Sequence, residues 1–367
     1  MRKIAALLCL TVLSVGLFAG CNTGETQETT PVVTTTVTEA DVTTTQETEE
    51  DNTSQETEST TSENGESLSV NIGALKGPTA MGMVSLMRDA DADAIPGYDY
   101  NFAISAAIDE VTPAIVQGKL DIAAIPANLA SVLYNNTNGE IRVLAINTLG
   151  VLYIVESGET IQSVEDLRGK TIYASGKGAT PEYALNYILA ENGIDPETDV
   201  NIEWKSEHAE CAAALAASEN GIAMLPQPFV TTAQSKNENI RIALDLTKEW
   251  DTIQETIDVK STLVTGVIVA RRSFIEENPA AVSDFLDYYA ASVDYTHTDI
   301  EGSAALIEAY DIIPAAVAEK ALPYCNITFI EGQEMTSLLS GYLRVLFDRN
   351  PQAMGGEMPS DEFYYQR

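Results

Sequence analysis

Basic residues are scarce in this sequence. Lys and Arg number 20 against 55 Asp and Glu, a formal net charge of −35. A nucleic-acid partner is excluded on that balance, because its phosphates would be repelled. The charge suits a soluble protein outside the cytoplasm. An anionic small ligand stays compatible with it, since a site needs only local donors. Histidine is scarcer still: His208 and His297 are the only two. They are far apart and lack companions of metal-ligand type, so each reads as a surface or capping residue and no metal site is expected. Of the four cysteines, none falls in a C-x-x-C or zinc-ligand spacing. Cys211 and Cys325 either pair, which an oxidising compartment permits, or stay as buried thiols. The Ala-rich setting of Cys211, HAECAAALAASE, favours the thiols. No Ser/His/Asp set or pair of catalytic carboxylates is visible, and no cofactor is called for.

What is present begins with a leader. Arg2 and Lys3 precede an apolar run from Ile4 to Phe18, too short for a comfortable membrane span, and then Ala19, Gly20 and Cys21. Leu17-Phe18-Ala19-Gly20-Cys21 resembles the lipobox of bacterial lipoproteins, which implies cleavage before Cys21 and lipid on its sulfur. Residues 22–66 are Thr- and Glu-rich, with 12 acids and no Lys or Arg. Such a segment cannot bury enough apolar surface to offset its ordering entropy, and self-repulsion extends it. It reads as a tether.

From about Ser67 the composition becomes rich in Ala, Ile, Leu and Val. About 300 residues remain, long for one core and natural for two lobes. Short apolar strands alternate with helices: SLSVNIGAL then TAMGMVSLMRDA, YNFAIS then DEVTPAIVQG, LDIAAIP then ANLASVLYNN. That alternation argues for an α/β fold with mainly parallel sheets flanked by helices. A second alternating set follows Gly150, with Ser163-Val-Glu-Asp166 shaped as a capping box. After STLVTGVIVARRSFIEENP the chain reads as mostly helical. The economical division is a signal peptide 1–20, a tether 21–66, lobe one from 67–150 and 262–367, and lobe two from 151–261. The chain then crosses between lobes near 149–155 and near 258–266. A simple tandem arrangement fits the periodicity almost as well.

Four strand-to-helix junctions carry candidate ligand-binding residues, because clefts form at the carboxyl ends of strands. Lys76-Gly77-Pro78-Thr79 offers a cation, a close backbone approach and a helix cap; the alternative is a plain turn with a solvated lysine. Asn128, after LDIAAIPA, can donate and accept into a cleft or simply cap a helix. Ser175-Gly-Lys-Gly178-Ala-Thr180-Pro181 places N–H groups and a helix dipole where an oxyanion would sit, with Thr180 as N-cap and Pro181 first in the helix. GKGATP lacks the P-loop pattern, so nucleotide hydrolysis is not implied. Gln227 lies between two prolines and either reaches across a cleft or stiffens a turn. Thr265-Gly266 reads as hinge or cleft wall.

GETIQSVEDLRGKTIYASGKGATPEYALNYILAENGID resembles the start of the second lobe in solute-binding proteins of ABC importers for nitrate, taurine, aliphatic sulfonates and thiamine precursors. LDIAAIPANLASVLYN, LPQPFV and ARRSFIEENPAAVSDFL extend the resemblance over most of residues 68–290. It implies a periplasmic-binding-protein type II fold, two α/β lobes around a cleft that closes on ligand. It implies a non-enzymatic, monomeric receptor handing a small organic, anionic or polar ligand to ABC permease subunits. That ligand would be of sulfonate, vitamin or pyrimidine-precursor type, and the membrane would be reached through lipid on Cys21. Two positions depart from the pattern. Gln227-Pro228 stands where Glu-Pro is usual, and the Leu75–Thr79 loop differs from the sulfonate and nitrate branches, so no one ligand carries over. The same scaffold serves as an enzyme of menaquinone- or pyrimidine-pathway type, or as a sensor, and these are the alternatives.

Overall fold

The structure is a computed structural model that describes residues 67–257 and 261–367. The expected signal peptide, the tether, lipidated Cys21 and residues 258–260 of the second crossing lie outside the described residues.

The strands in chain order are β1 (Leu68–Leu75), β2 (Tyr98–Ser105), β3 (Ile122–Pro126), β4 (Ile141–Leu149), β5 (Leu152–Ser157), β6 (Thr171–Ser175), β7 (Asn201–Lys205), β8 (Ile222–Pro226), β9 (Ile240–Asp245), β10 (Val264–Arg271) and β11 (Ile327–Ile330). The helices up to the second crossing are α1 (Pro78–Met81), α2 (Val84–Asp91), α3 (Ile108–Val116), α4 (Ala127–Asn136), α5 (Thr180–Glu191), α6 (His208–Ala217), α7 (Phe229–Lys236) and α8 (Leu246–Gln254). After it come α9 (Arg272–Glu277), α10 (Pro279–Thr298), α11 (Ile300–Ala309), α12 (Ala315–Ala321) and α13 (Gly332–Arg349).

Two sheets result, ordered β11-β4-β10-β3-β1-β2 and β7-β6-β8-β5-β9. In the first, β1 runs parallel to β2 and β3, while β10 runs antiparallel to β3 and β4. In the second, β6 runs parallel to β7 and β8, while β5 runs antiparallel to β8 and β9. Each sheet is therefore mainly parallel with one reversed strand in its interior. The reversed strands are those that begin just after a crossing: each enters its sheet at the end where its neighbours finish. Short edge β11, antiparallel to β4, completes the first sheet.

Near-continuous burial along β3, β4, β8 and β10 shows why these segments are apolar without alternation. The sheets join through an aromatic seam. Trp250 of α8 packs against Tyr187 of α5 at 4.6 Å and Tyr342 of α13 at 5.6 Å between ring centroids. The buried indole N–H donates to Ser261 Oγ at 3.1 Å, and Gln254 Nε2 donates to the Tyr187 hydroxyl at 2.9 Å. The Tyr342 hydroxyl is the seam's buried group without a partner among the described residues. At the first crossing, a Cβ on Gly150 would stand 2.1 Å from Thr247 Oγ1, so only glycine lets this link pass α8.

The structure corrects the sequence reading at two places. The segment from Thr79 to Ala90 is two helices, α1 and α2, broken at Gly82-Met83. A Cβ at Gly82 would meet the Tyr289 hydroxyl and the Ile327 side chain at 3.0 Å, so close packing against α10 and β11 governs this turn. The C-terminal stretch holds β11 besides helices, and KEWDTIQ, unassigned from sequence, forms most of α8. Cys211 and Cys325 are free and buried. Among the described residues no helix is long and apolar enough to cross a membrane.

Candidate functional site

The carboxyl ends of β1, β3, β6 and β8 meet between the two sheets, and each is followed within a few residues by a helix start. The arrangement is the one expected of a ligand cleft in open α/β sheets. A cavity of about 110 Å³ lies there. Lys76, Thr79, Thr148 and Thr265 line it from the first sheet's side; Thr180, His208 and Gln227 line it from the second. Between these polar groups the wall is apolar, with Leu75, Leu152, Phe229 and four prolines.

The side of the second sheet is tightly built. Thr180 and Gln227 are 1% and 2% exposed. Thr180 is the first residue of α5, not its cap; Ala179 holds the N-cap position and Pro181 follows second. The Thr180 hydroxyl instead donates to Asn128 Oδ1 at 3.2 Å, and Asn128 Nδ2 donates to the carbonyls of Gly178 and Ala353, each at 3.3 Å. Asn128 thus bridges the two sides, and it neither caps α4, whose N-cap is Pro126, nor lines the cavity. Gln227 Oε1 accepts from the Thr231 N–H at 3.2 Å and its hydroxyl at 2.9 Å, which leaves Nε2 as a donor without a protein partner among the described residues.

Ser175 stands behind the wall rather than in it. Its hydroxyl lies 2.5 Å from His208 Nδ1, and the His208 ring packs on Phe229 at 5.0 Å. Burial pushes the His208 pKa down to about 4, so the ring is neutral at pH 7. The sequence reading of His208 as a surface or capping residue is corrected: it starts α6 and faces the cavity. The signal was available, because KSEHAE is itself a strand-to-helix junction. No carboxylate bonds the second ring nitrogen among the described residues, so Ser175 and His208 do not form a triad.

Gly178 and Lys177 border a separate opening next to α3. The Gly178 N–H is taken by Glu182 Oε2 at 2.6 Å, and that of Ala179 by the Gly176 carbonyl at 3.1 Å. Two donors of the expected anion loop are therefore already used.

The side of the first sheet is looser. Gly77 is the N-cap of α1 with φ 125°, a conformation that favours glycine, and space is open where a Cβ would stand. Thr79 does not cap; its hydroxyl donates back to the Leu75 carbonyl at 2.7 Å. Lys76 Nζ lies 3.1 Å from Asp311 Oδ2, whose side chain is fully exposed. Such a pair contributes roughly 0–1 kcal/mol, so Lys76 can turn to another anion at little cost. Thr265 lines the cavity, its hydroxyl donating to the Leu149 carbonyl at 2.5 Å, so of the two readings offered for it the structure shows the wall. Among the described residues no group of three or more His, Cys, Asp or Glu could hold a metal ion.

Comparison with known proteins follows this geometry. The model of the family described as "ABC transporter, phosphonate, periplasmic substrate-binding protein" matches residues 92–310. No curated protein matches the sequence. Among solved structures, an ABC transporter protein from Parabacteroides distasonis superposes with a TM-score of 0.68 at 20% identity, covering 82% of this chain and 100% of the other. The periplasmic aliphatic sulphonate binding protein of Escherichia coli gives 0.64 at 17%, covering 81% and 96%. The alkanesulfonate-binding protein of Xanthomonas axonopodis pv. citri, bound to MOPS, gives 0.62 at 17%, with the same coverage. These likenesses are of fold, and the fold is that of periplasmic binding proteins. Since the family model spans more than half of the chain, the protein belongs to the phosphonate substrate-binding family of ABC transporters, extracytoplasmic receptors for small molecules.

Proposed function

We propose that this receptor binds a small organic oxyanion, of phosphonate or sulfonate type, in the central cavity and presents it to an ABC permease as a monomer anchored by lipid on Cys21. The observation that carries the ligand reading is the convergence of uncharged polar groups on one cavity: Nε2 of Gln227 and the imidazole of His208 as donors, with Thr180 beside them and Lys76 at the rim. With the Ser175 hydroxyl donating to Nδ1, the remaining ring proton sits on Nε2 and is available to an anion. In an apolar wall such donors favour an oxyanion strongly, since little water competes for them. Gly77, Asn128, Ser175 and Gly178 then support the site by shaping its loops. The anchor reading rests on Leu17–Cys21 and on the acidic stretch that follows, which would hold the receptor clear of the membrane.

Calorimetric titration of the purified chain with methylphosphonate and methanesulfonate tests the ligand reading. Saturable binding of either one is expected. Absence of binding by both, in protein that still unfolds cooperatively, refutes it.

A further inference from the structure

The central cavity is small for the receptor of an organic ligand. Its volume of about 110 Å³ is room for roughly three or four waters, enough for an oxyanion and little else. A second, larger space opens beside it. A groove of about 670 Å³ runs between α7, β9 and α8 on one side and α12 with the following 3₁₀ turn (Leu322–Tyr324) on the other. That size lies within the range of about 300–1,000 Å³ typical of small-molecule sites.

The two spaces share Gln227, which lines both. Gln227 is 2% exposed, and its Nε2 has no protein partner among the described residues. Beyond it the groove is bordered by Tyr153 and Tyr324. Three large apolar side chains stand exposed among the described residues, and two of them, Tyr324 at 59% and Ile242 at 39%, border this groove. Exposed apolar groups gathered in one concavity mark a binding surface. The flanking charges balance in number: Lys248 pairs with Asp245 at 3.5 Å, and Glu238 and Lys320 also line the opening. The groove therefore sets the Tyr153 and Tyr324 rings and the Ile242 side chain within a polar rim that includes Thr231, Gln234 and Ser235.

We propose that the ligand is an arylalkyl oxyanion, with its oxyanion in the central cavity and its aromatic ring in the side groove against Tyr153 and Tyr324. This rests on the oxyanion reading above and adds the class of the organic substituent. Tyrosine faces favour an aromatic partner over an aliphatic one of equal area through offset or edge-to-face packing.

The test compares methyl-, cyclohexylmethyl- and benzylphosphonate by calorimetry on the full chain and on Tyr324→Ala. Tyr324 is exposed, so its truncation leaves the core untouched. Benzylphosphonate is expected to bind about tenfold tighter than methylphosphonate and also tighter than the cyclohexylmethyl compound. In Tyr324→Ala the benzyl-to-methyl ratio is expected to fall to about two. Equal affinities for methyl and benzyl, a cyclohexylmethyl affinity matching benzyl, or a benzyl advantage surviving in Tyr324→Ala would each overturn the proposal. If methylphosphonate binds and the benzyl compound does not, the groove is closed to ligand and the proposal fails alone. If none binds, the oxyanion reading fails and takes this inference with it.

Discussion

The two sides of the cleft differ in how firmly they hold their polar groups. On the second sheet's side Thr180, Gln227 and His208 are each fixed by a neighbour: Asn128, Thr231 and Ser175. On the first sheet's side Lys76 is held only by an exposed carboxylate, and Thr79 turns back on its own strand. Preorganised donors bind an anion without reorganising, whereas a tethered surface lysine adds charge at a distance. On the proposed reading the second sheet's side is the site's template, and Lys76 adds a contact from the first.

The largest effect follows from removing a fixed donor. Thr180→Val keeps the shape and deletes the hydroxyl that donates to Asn128 at the cavity wall. Oxyanion affinity is expected to fall about 10- to 100-fold as this wall loosens, and stability to drop by about 1–3 kcal/mol because buried Asn128 Oδ1 loses its donor. Titration of the variant checks this, and a loss no larger than that of Lys76→Met would erase the contrast between the sides.

His208 is next, and its effect depends on pH. Its folded-state pKa of about 4 lies below the ordinary 6.5, so between those values the unfolded chain binds more protons than the folded one. Stability carried by neutral His208 is complete above about pH 6.5 and declines as pH falls toward 4. An anion beside the ring raises its pKa, so binding takes up a proton and tightens on acidification. Methanesulfonate keeps its charge in this range. Its affinity is expected to rise several-fold from pH 7 to 5 in the native protein and to stay flat in His208→Gln. The ring is held by Ser175 and Phe229, with Lys76 lining the same cavity. A second acid-sensitive element lies at the far end of β5. Burial pulls the Glu156 carboxyl upward, but N–H groups of Ile161 and Thr160, the Thr160 hydroxyl and Arg241 outweigh it and leave it below the ordinary range. Its contribution begins to be lost only toward the acid end of the His208 window, as pH falls through the ordinary carboxylate range.

Lys76→Met should give the smallest change. A loss of about two- to fivefold is expected at low salt, vanishing in about 0.5 M salt, because screening removes interactions of exposed charges first. A salt-independent loss would show Lys76 buried against the ligand instead.

Much of this was legible in the chain. Alternating apolar strands and helices gave the class, and ANLASVLYNN coincides with α4 residue for residue. Thr180 and Gln227 were readable because strand-to-helix junctions mark cleft positions. His208 sits at the same kind of junction, but its Ala-rich helix drew attention to packing. Helix caps were read one residue out at Thr180 and misplaced at Thr79, because tertiary partners, Asn128 and the Leu75 carbonyl, took the hydroxyls that local rules assign to capping. The reversed strands β5 and β10 could not be told from parallel ones, since both are buried on two faces and read as unbroken apolar runs.

A crystal structure of the protein with methylphosphonate tests the central claim most directly. The phosphonate oxygens are expected within hydrogen-bond distance of Gln227 Nε2 and a ring nitrogen of His208. An oxyanion bound elsewhere, or in the cleft but held by the first lobe alone, would contradict it.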